Sequence, residues 1–154
     1  MIIISDTSPI TSLLKINKIE VLEKIFKKVI IPEAVHNELK LTHLEIPAFI
    51  STQHVKNKEY VNALLSELDT GEAEAIALAK ELNAELLLID EHLGREIAER
   101  EGIQIIGLLG VFLIAKKRGI INSIKKIISL LESEANFWLS DSLKNEVYKL
   151  AGEN

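Results

Sequence analysis

Met1-Ile2-Ile3-Ile4-Ser5-Asp6-Thr7-Ser8-Pro9 opens the chain, and much later it reads Leu86-Leu87-Leu88-Ile89-Asp90-Glu91. Each stretch is a short apolar run ended by an aspartate. Ile2 to Ile4 reads as a strand, and the residues after it supply a helix start, with Ser8 as N-cap and Pro9 at the first helical position. Four consecutive apolar residues from Leu86 to Ile89 suit a strand covered on both faces, as in a parallel sheet with helices on either side. A helix over Glu91 to Glu101 follows.

The same alternation recurs between and after these stretches. Val29 to Ile31 meets Pro32, and Glu33 to Leu39 reads as the next helix. A short strand is expected around Gln53 to Val55. Helical spacing of Val61, Leu64, Leu65 and Leu68 predicts a helix over Tyr60 to Leu68. Asp69-Thr70-Gly71 then punctuates before an alanine-rich helix over Glu72 to Leu82. After strand Ile103 to Ile106, Gly107-Leu108-Leu109-Gly110 reads as a helix entrance, and Leu108 to Arg118, Ile121 to Glu134 and Asp141 to Ala151 read as helices. Strands alternating with helices predict a doubly wound α/β fold. Residues 1–154 are expected to form one domain, with 114–154 as a helical C-terminal extension.

Composition narrows the classes. The chain has 154 residues and no cysteine, so no disulfide, thiolate metal site or cysteine nucleophile is possible. A reducing cytoplasm is the expected compartment. No apolar run spans a bilayer, and the opening residues are too short and uncharged for a signal peptide. A net charge of −5 argues against nonspecific adhesion to DNA or membranes, so any nucleic-acid contact must be local. The mean hydropathy of +0.19 suggests apolar surface buried between subunits, and a homodimer is expected.

Asp6 and Asp90 follow buried-looking strands, where open α/β sheets bind ligands at the carboxyl ends of strands. Either could instead cap the helix after it. Glu38 and Glu72 lie near helix ends, with Glu74 two residues beyond Glu72 and on another face. Acids from four elements gathered in one crevice would repel one another unless a cation neutralises them. Oxygen-only ligation selects Mg²⁺ or Mn²⁺, and such ions activate water and stabilise the departing oxygen of a phosphodiester.

The order of Asp6-Thr7-Ser8, IIPEAVHNEL with Glu38, and DTGEAEAIALAKELNAELLLID with Glu72 and Asp90 resembles PIN-domain ribonucleases, including toxins of prokaryotic toxin–antitoxin pairs. The likeness covers Met1 to Leu113. With GLLGVFLIAKKRG and ANFWLSD it is similar, over most of the chain, to a prokaryotic subfamily of predicted nucleic-acid-binding PIN proteins. The resemblance implies a PIN-like three-layer fold with a mainly parallel sheet. It implies a metal site of Asp6, Glu38, Glu72 and Asp90, with Thr7 or Ser8 helping to hold it and Glu91 as an auxiliary. Glu74 competes with Glu72 for the third position, where the family commonly has aspartate. It further implies an RNA substrate and, for toxin relatives, an antitoxin that places a basic residue in the acidic pocket.

Other motifs are less telling. His36, His43, His54 and His92 are scattered and read as solvent-facing. No GxxxxGK[ST] or GxGxxG phosphate loop occurs. Asp6-Thr7-Ser8 lacks the second loop and all-β frame of an aspartic protease, and Ser8 stands where dehalogenase-like phosphatases carry a second aspartate. Lys116, Lys117 and Arg118, with Lys125 and Lys126, are candidates for phosphate-backbone contacts, although bases at helix ends also complement the dipole. Arg95 could pair with Glu91 or reach a phosphate. The leading expectation is a divalent-metal-dependent endoribonuclease. The alternatives are a catalytically weak nucleic-acid-binding or protein-interaction module and a small-molecule phosphohydrolase.

Overall fold

A computed structural model describes residues 1–42 and 45–154. Among these, strands β1 (Ile3–Ser5), β2 (Val29–Pro32), β3 (Ile50–Gln53), β4 (Leu86–Leu88) and β5 (Ile105–Ile106) form one sheet in the order β3-β2-β1-β4-β5. All four pairings are parallel. The central pair is in register at Ile3 with Leu86, Ile4 with Leu87 and Ser5 with Leu88. This is the α/β architecture that the alternating apolar runs predict.

Helices α1 (Thr7–Lys15), α2 (Glu20–Phe26), α3 (Glu33–Leu41), α4 (Lys58–Leu64), α5 (Thr70–Glu81), α6 (His92–Arg100), α7 (Leu108–Lys117), α8 (Ile124–Glu134) and α9 (Asp141–Leu150) cover the sheet. Successive strand residues point to opposite faces, so two cores form. Ile3, Ile31 and Leu88 pack with Leu13 of α1, Leu22 of α2, Phe112 of α7 and Leu131 of α8. Ile4 and Leu87 face the other way, toward Val61 of α4, Ile76 of α5 and Ile97 of α6. Helix α5 is buried nearly all round, through Ala73, Ala75, Ala77 and Ala79. Small side chains let it lie close to its neighbours, which brings its first turn to the carboxyl end of the sheet.

Several boundaries differ from expectation for identifiable reasons. Helix α1 starts at Thr7, with Asp6 rather than Ser8 in the N-cap position. Pro9 therefore sits in the first turn, where its missing N–H has no intrahelical partner to lose. The strand expected at Gln53 to Val55 lies at Ile50–Gln53, paired with β2. Helix α4 begins earlier than expected because the Asn57 side chain accepts from the Tyr60 N–H, 3.1 Å away, and it ends at Leu64. Helix α8 begins at Ile124 rather than Ile121 because Ser123 caps it. Helix α2 lies between α1 and β2 in addition to the helices expected from the sequence.

The C-terminal helices are fastened by one carboxylate. Glu153 accepts hydrogen bonds from the Ile124 N–H at 2.6 Å, the Ser123 hydroxyl at 3.0 Å and the Lys125 N–H at 3.3 Å. Lys116 Nζ lies 3.0 Å from the same group and 2.8 Å from the Asn122 carbonyl. An anion at a helix N-terminus is stabilised by exposed amides and by the dipole. Burial alone would raise the Glu153 pKa, but the Ile124 amide, Lys116 and the remaining donors hold it at about 2. Because the folded value is depressed, the stabilisation is present above the ordinary carboxylate pKa of 4.5 and is lost as pH falls toward 2. Glu153→Gln should lower unfolding stability at pH 7 by about 2 kcal/mol, with the difference vanishing near pH 2, as read by urea titration.

Candidate active site

The strand order reverses between β1 and β4, the switch point where doubly wound sheets form a crevice. Asp6 leaves β1 there, its backbone N–H donating to the Leu88 carbonyl at 2.9 Å. A cavity of ≈ 360 Å³ opens above it, lined by Asp6, Thr7, Ser8, Thr11, Ser12 and Lys15 from β1 and α1, and by Glu38, Asp69, Glu72, Glu91 and Ala135 from other elements.

Each acid is held differently. Asp6 is 5% exposed and, although it occupies the N-cap position, its side chain makes no capping bond. Burial raises its pKa from 3.8 to about 7; the Thr7 amide opposes the rise, and the charges of Asp69, Glu38 and Asp90 add to it. Glu38 of α3 accepts from the Thr7 hydroxyl at 2.5 Å. Its carboxylate also fills the space beside Gly71, where an added Cβ would lie 2.6 Å from Oε1. Glu72, 8% exposed in the first turn of α5, forms a capping box with Asp69. Its Oε2 is buried without a hydrogen-bond partner. Burial, then Asp69 and Asp6, raise its pKa from 4.5 to about 7.

Asp90 stands apart from the cavity lining. Its Oδ1 accepts from the Leu108 N–H at 2.9 Å, capping α7 rather than the helix that directly follows it. Arg95 lies alongside: a Cβ on Gly107 would meet both Arg95 and Asp90, so this glycine leaves room for the pair. Burial raises the Asp90 pKa, while the Leu108 amide and Arg95 pull against the rise. Asp90 thus borders the acid pocket electrostatically and forms a wall of a second cavity of ≈ 520 Å³ that Arg95, Phe137 and Leu139 also line.

This carboxylate-lined crevice at a parallel-sheet switch point has its counterpart in sequence: the DUF3368 family model, described as a PIN domain, matches residues 2–153. The chain belongs to the PIN-domain family. Its fold is similar to that of a PilT N-terminus domain protein from the hyperthermophilic archaeon Sulfolobus solfataricus P2, at a TM-score of 0.59 and 22% identity over 72% of this chain and 90% of the other. No curated protein matches. PIN domains are generally nucleases and typically use divalent metal ions.

Of the acids expected for a PIN site, the fold brings Asp6, Glu38, Glu72 and Glu91 to one cavity, together with Thr7 and Ser8. Glu74 is turned away, its Oε1 accepting from the Ala34 N–H at 3.0 Å, which leaves Glu72 as the α5 acid in the pocket. Asp69 and Lys15 also line the cavity without having been singled out. The D-x-x-E spacing of a capping box could have flagged Asp69. Arg95 is set against Asp90, not Glu91. Lys116 is engaged by Glu153, while Lys117 and Arg118 end α7, a ten-residue helix that carries them about 15 Å from its start beside Asp90. None of the three lines the acid pocket. His36 meets Thr52, His54 meets Glu33 and His92 meets Glu96, while His43 lies outside the described residues.

Among the described residues, no three Asp, Glu or His side chains gather closely enough to enclose a metal ion. The donors do suit an ion of another kind. Mg²⁺ keeps most of its waters and takes one or two carboxylates. Asp6 and Glu72, buried with raised pKa values and one orphaned oxygen, are the groups that a cation would relieve. Because both folded pKa values exceed the unfolded ones, the folded chain holds extra protons between about pH 4 and 7. Stability in chelator should therefore fall as pH rises through that window. Asp6→Asn should flatten the fall and stabilise the metal-free chain at pH 8 by an amount of the order of 2 kcal/mol, measured by urea unfolding.

Proposed function

We propose that this PIN domain is an endoribonuclease dependent on Mg²⁺ or Mn²⁺, built as one domain whose residues 114–154 form a helical extension. Support for this reading comes above all from the two buried, undercompensated carboxylates, Asp6 and Glu72, facing one cavity at the sheet's switch point. When bound, a divalent ion supplies Lewis-acid activation of water and neutralises phosphodiester charge. Asp6 and Glu72 would hold it, with Glu38, Asp69 and Glu91 around the rim receiving its waters. Thr7 keeps Glu38 oriented, and Lys15 offers a cation to a substrate phosphate. Asp90 acts through position: by tying α7 to the end of β4 it closes one side of the crevice and adds negative charge beside Asp6.

The absence of cysteine and the mean hydropathy extend the proposal to a cytoplasmic homodimer, and the toxin-like resemblance extends it to restraint by an antitoxin whose basic side chain occupies the acid pocket. The second reading, a binding module with little catalysis, draws on the capped state of Asp90 and the lack of a three-acid cluster among the described residues.

Two variants separate these readings. Asp6→Asn should abolish both saturable Mn²⁺ binding by calorimetry and Mn²⁺-dependent cleavage of single-stranded RNA; cleavage at the wild-type rate would refute the role of Asp6. Gly71→Ala places a methyl where the Glu38 carboxylate now lies. Alanine suits a helix, so thermal stability should hold, whereas Mn²⁺ affinity should fall about 10–100-fold, the range for disturbing groups that orient a metal ligand. Metal binding by the wild type without cleavage of any RNA would favour the binding module.

A further inference from the structure

Between α8 and α9, residues Ala135 to Leu139 cross the carboxyl end of the sheet as a strap. Its exposure alternates: Ala135, Phe137 and Leu139 are half-buried, whereas Asn136 and Trp138 are exposed. The inward residues fix it in place. Ala135 lines the acid pocket, and Phe137 and Leu139 line the neighbouring cavity beside Asp90 and Arg95. All three pack against the larger core. Asn136 takes the left-handed conformation, at φ 52°, that turns the chain out of α8, and the Phe137 N–H closes back on the Leu131 carbonyl at 3.0 Å.

Trp138, the chain's single tryptophan, is 69% exposed on the outer side of this strap. Its indole N–H donates to Asn136 Oδ1 at 2.8 Å, so its polar edge is satisfied and the ring is tethered while most of the side chain stays exposed. A large aromatic surface fixed in that way fits a flat, apolar-faced partner. The strap limits where that partner can sit. Trp138 is three residues from Ala135, so its Cα is at most about 10 Å of extended chain from the acid pocket. Lys15 lines the same pocket as Ala135, at the end of a helix face that also presents Thr7, Ser8, Thr11 and Ser12. A cation and hydroxyl donors in the cavity, with an aromatic ring on the strap that borders it, match the alternating phosphates and bases of a single strand.

We propose that Trp138 is a base-stacking platform for single-stranded RNA, holding a nucleobase beside the phosphodiester that enters the acid pocket, with Lys15 on an adjacent phosphate. The inference rests on the reading of that pocket as a phosphodiester site. It also answers an energetic difficulty: a chain with a net charge of −5 gains little from long-range attraction of a polyanion, so local stacking must supply affinity. Every base has an aromatic face, so a stacking platform tolerates many sequences.

The test uses the full chain carrying Asp6→Asn, which keeps RNA intact and removes one of the pocket charges that repel a phosphate. Titrating an unlabelled oligouridine and, separately, an oligoadenosine should quench the Trp138 fluorescence saturably. Adding Trp138→Ala to that chain should weaken binding of a fluorescein-labelled RNA about tenfold, read by anisotropy, while Trp138→Phe, which keeps a ring, should lose less than about threefold. Absence of quenching together with unchanged affinity of the alanine variant would overturn the proposal. So would burial of Trp138 by self-association of the chain, seen as concentration-dependent fluorescence and mass without RNA, if RNA affinity is unchanged in the alanine variant. Quenching without cleavage by the wild type would refute only the nuclease reading, whereas cleavage by the wild type with RNA affinity insensitive to Trp138→Ala would refute only the platform.

Discussion

The parallel pairing of β1 with β4 is the constraint on which the crevice depends. Connections from these neighbouring strands leave toward opposite faces of the sheet, so no helix fills the gap above their carboxyl ends. The Asp6 amide bound to the Leu88 carbonyl sets the height of the first acid relative to β4. Everything else arrives by packing. Helix α5 reaches the gap because its alanines let it lie deep against the sheet, and α3 adds Glu38 because it packs beside α5, where Gly71 leaves space for the carboxylate. A one-residue slip of β1 would exchange the faces of Ile3 and Ile4, and with them both cores.

Gathering acids in a crevice has an electrostatic cost, and the fold offsets it unevenly. Asp90 has the Leu108 amide and Arg95, Asp69 has the Glu72 amide, and Glu38 has the Thr7 hydroxyl. Asp6 and Glu72 are left the least compensated, and their pKa values rise to about 7. Two carboxyls poised near neutrality in a cavity behave differently from solvated surface acids: a proton or a cation must accompany them. This division separates the acids that shape the site from the two that a metal ion would complete. It explains why Asp90, equal to Asp6 by position after a strand, differs from it in environment. The Leu108 amide and Arg95 serve Asp90, whereas the more deeply buried Asp6 has the Thr7 amide set against three neighbouring acids.

Strands and their terminal acids were legible in the sequence because a buried parallel strand needs a continuous apolar run, and the chain must turn polar where the run ends. Leu86 to Ile89 followed by Asp90 carries that signal in five letters. The N-cap of α1 was harder to place, since aspartate and serine both satisfy the same amides and a proline tolerates either frame. Helix α2 is a short amphipathic element whose existence depends on the core it covers. Long-range partnerships were the least accessible. Lys116 looked like part of a basic patch because Glu153, far along the chain, is what occupies it. The choice between Glu72 and Glu74 turned on the Ala34 amide, contributed by another helix.

The distribution of cations bears on how a polyanion could approach. Lys117 and Arg118 sit at the far end of α7, Lys116 is engaged by Glu153, and Arg95 is balanced by Asp90, so Lys15 is the cation lining the acid pocket among the described residues. Without a metal ion the pocket therefore repels phosphate. On the nuclease reading, a divalent ion held at Asp6 and Glu72 would offset part of that repulsion over distances shorter than the screening length of about 8 Å, and so favour entry of a phosphodiester. Groups that bind the strand without charge, namely the α1 hydroxyls and the exposed ring of Trp138, are then free to act whether or not the metal is present. Strand capture and strand cleavage would thereby draw on different parts of one site.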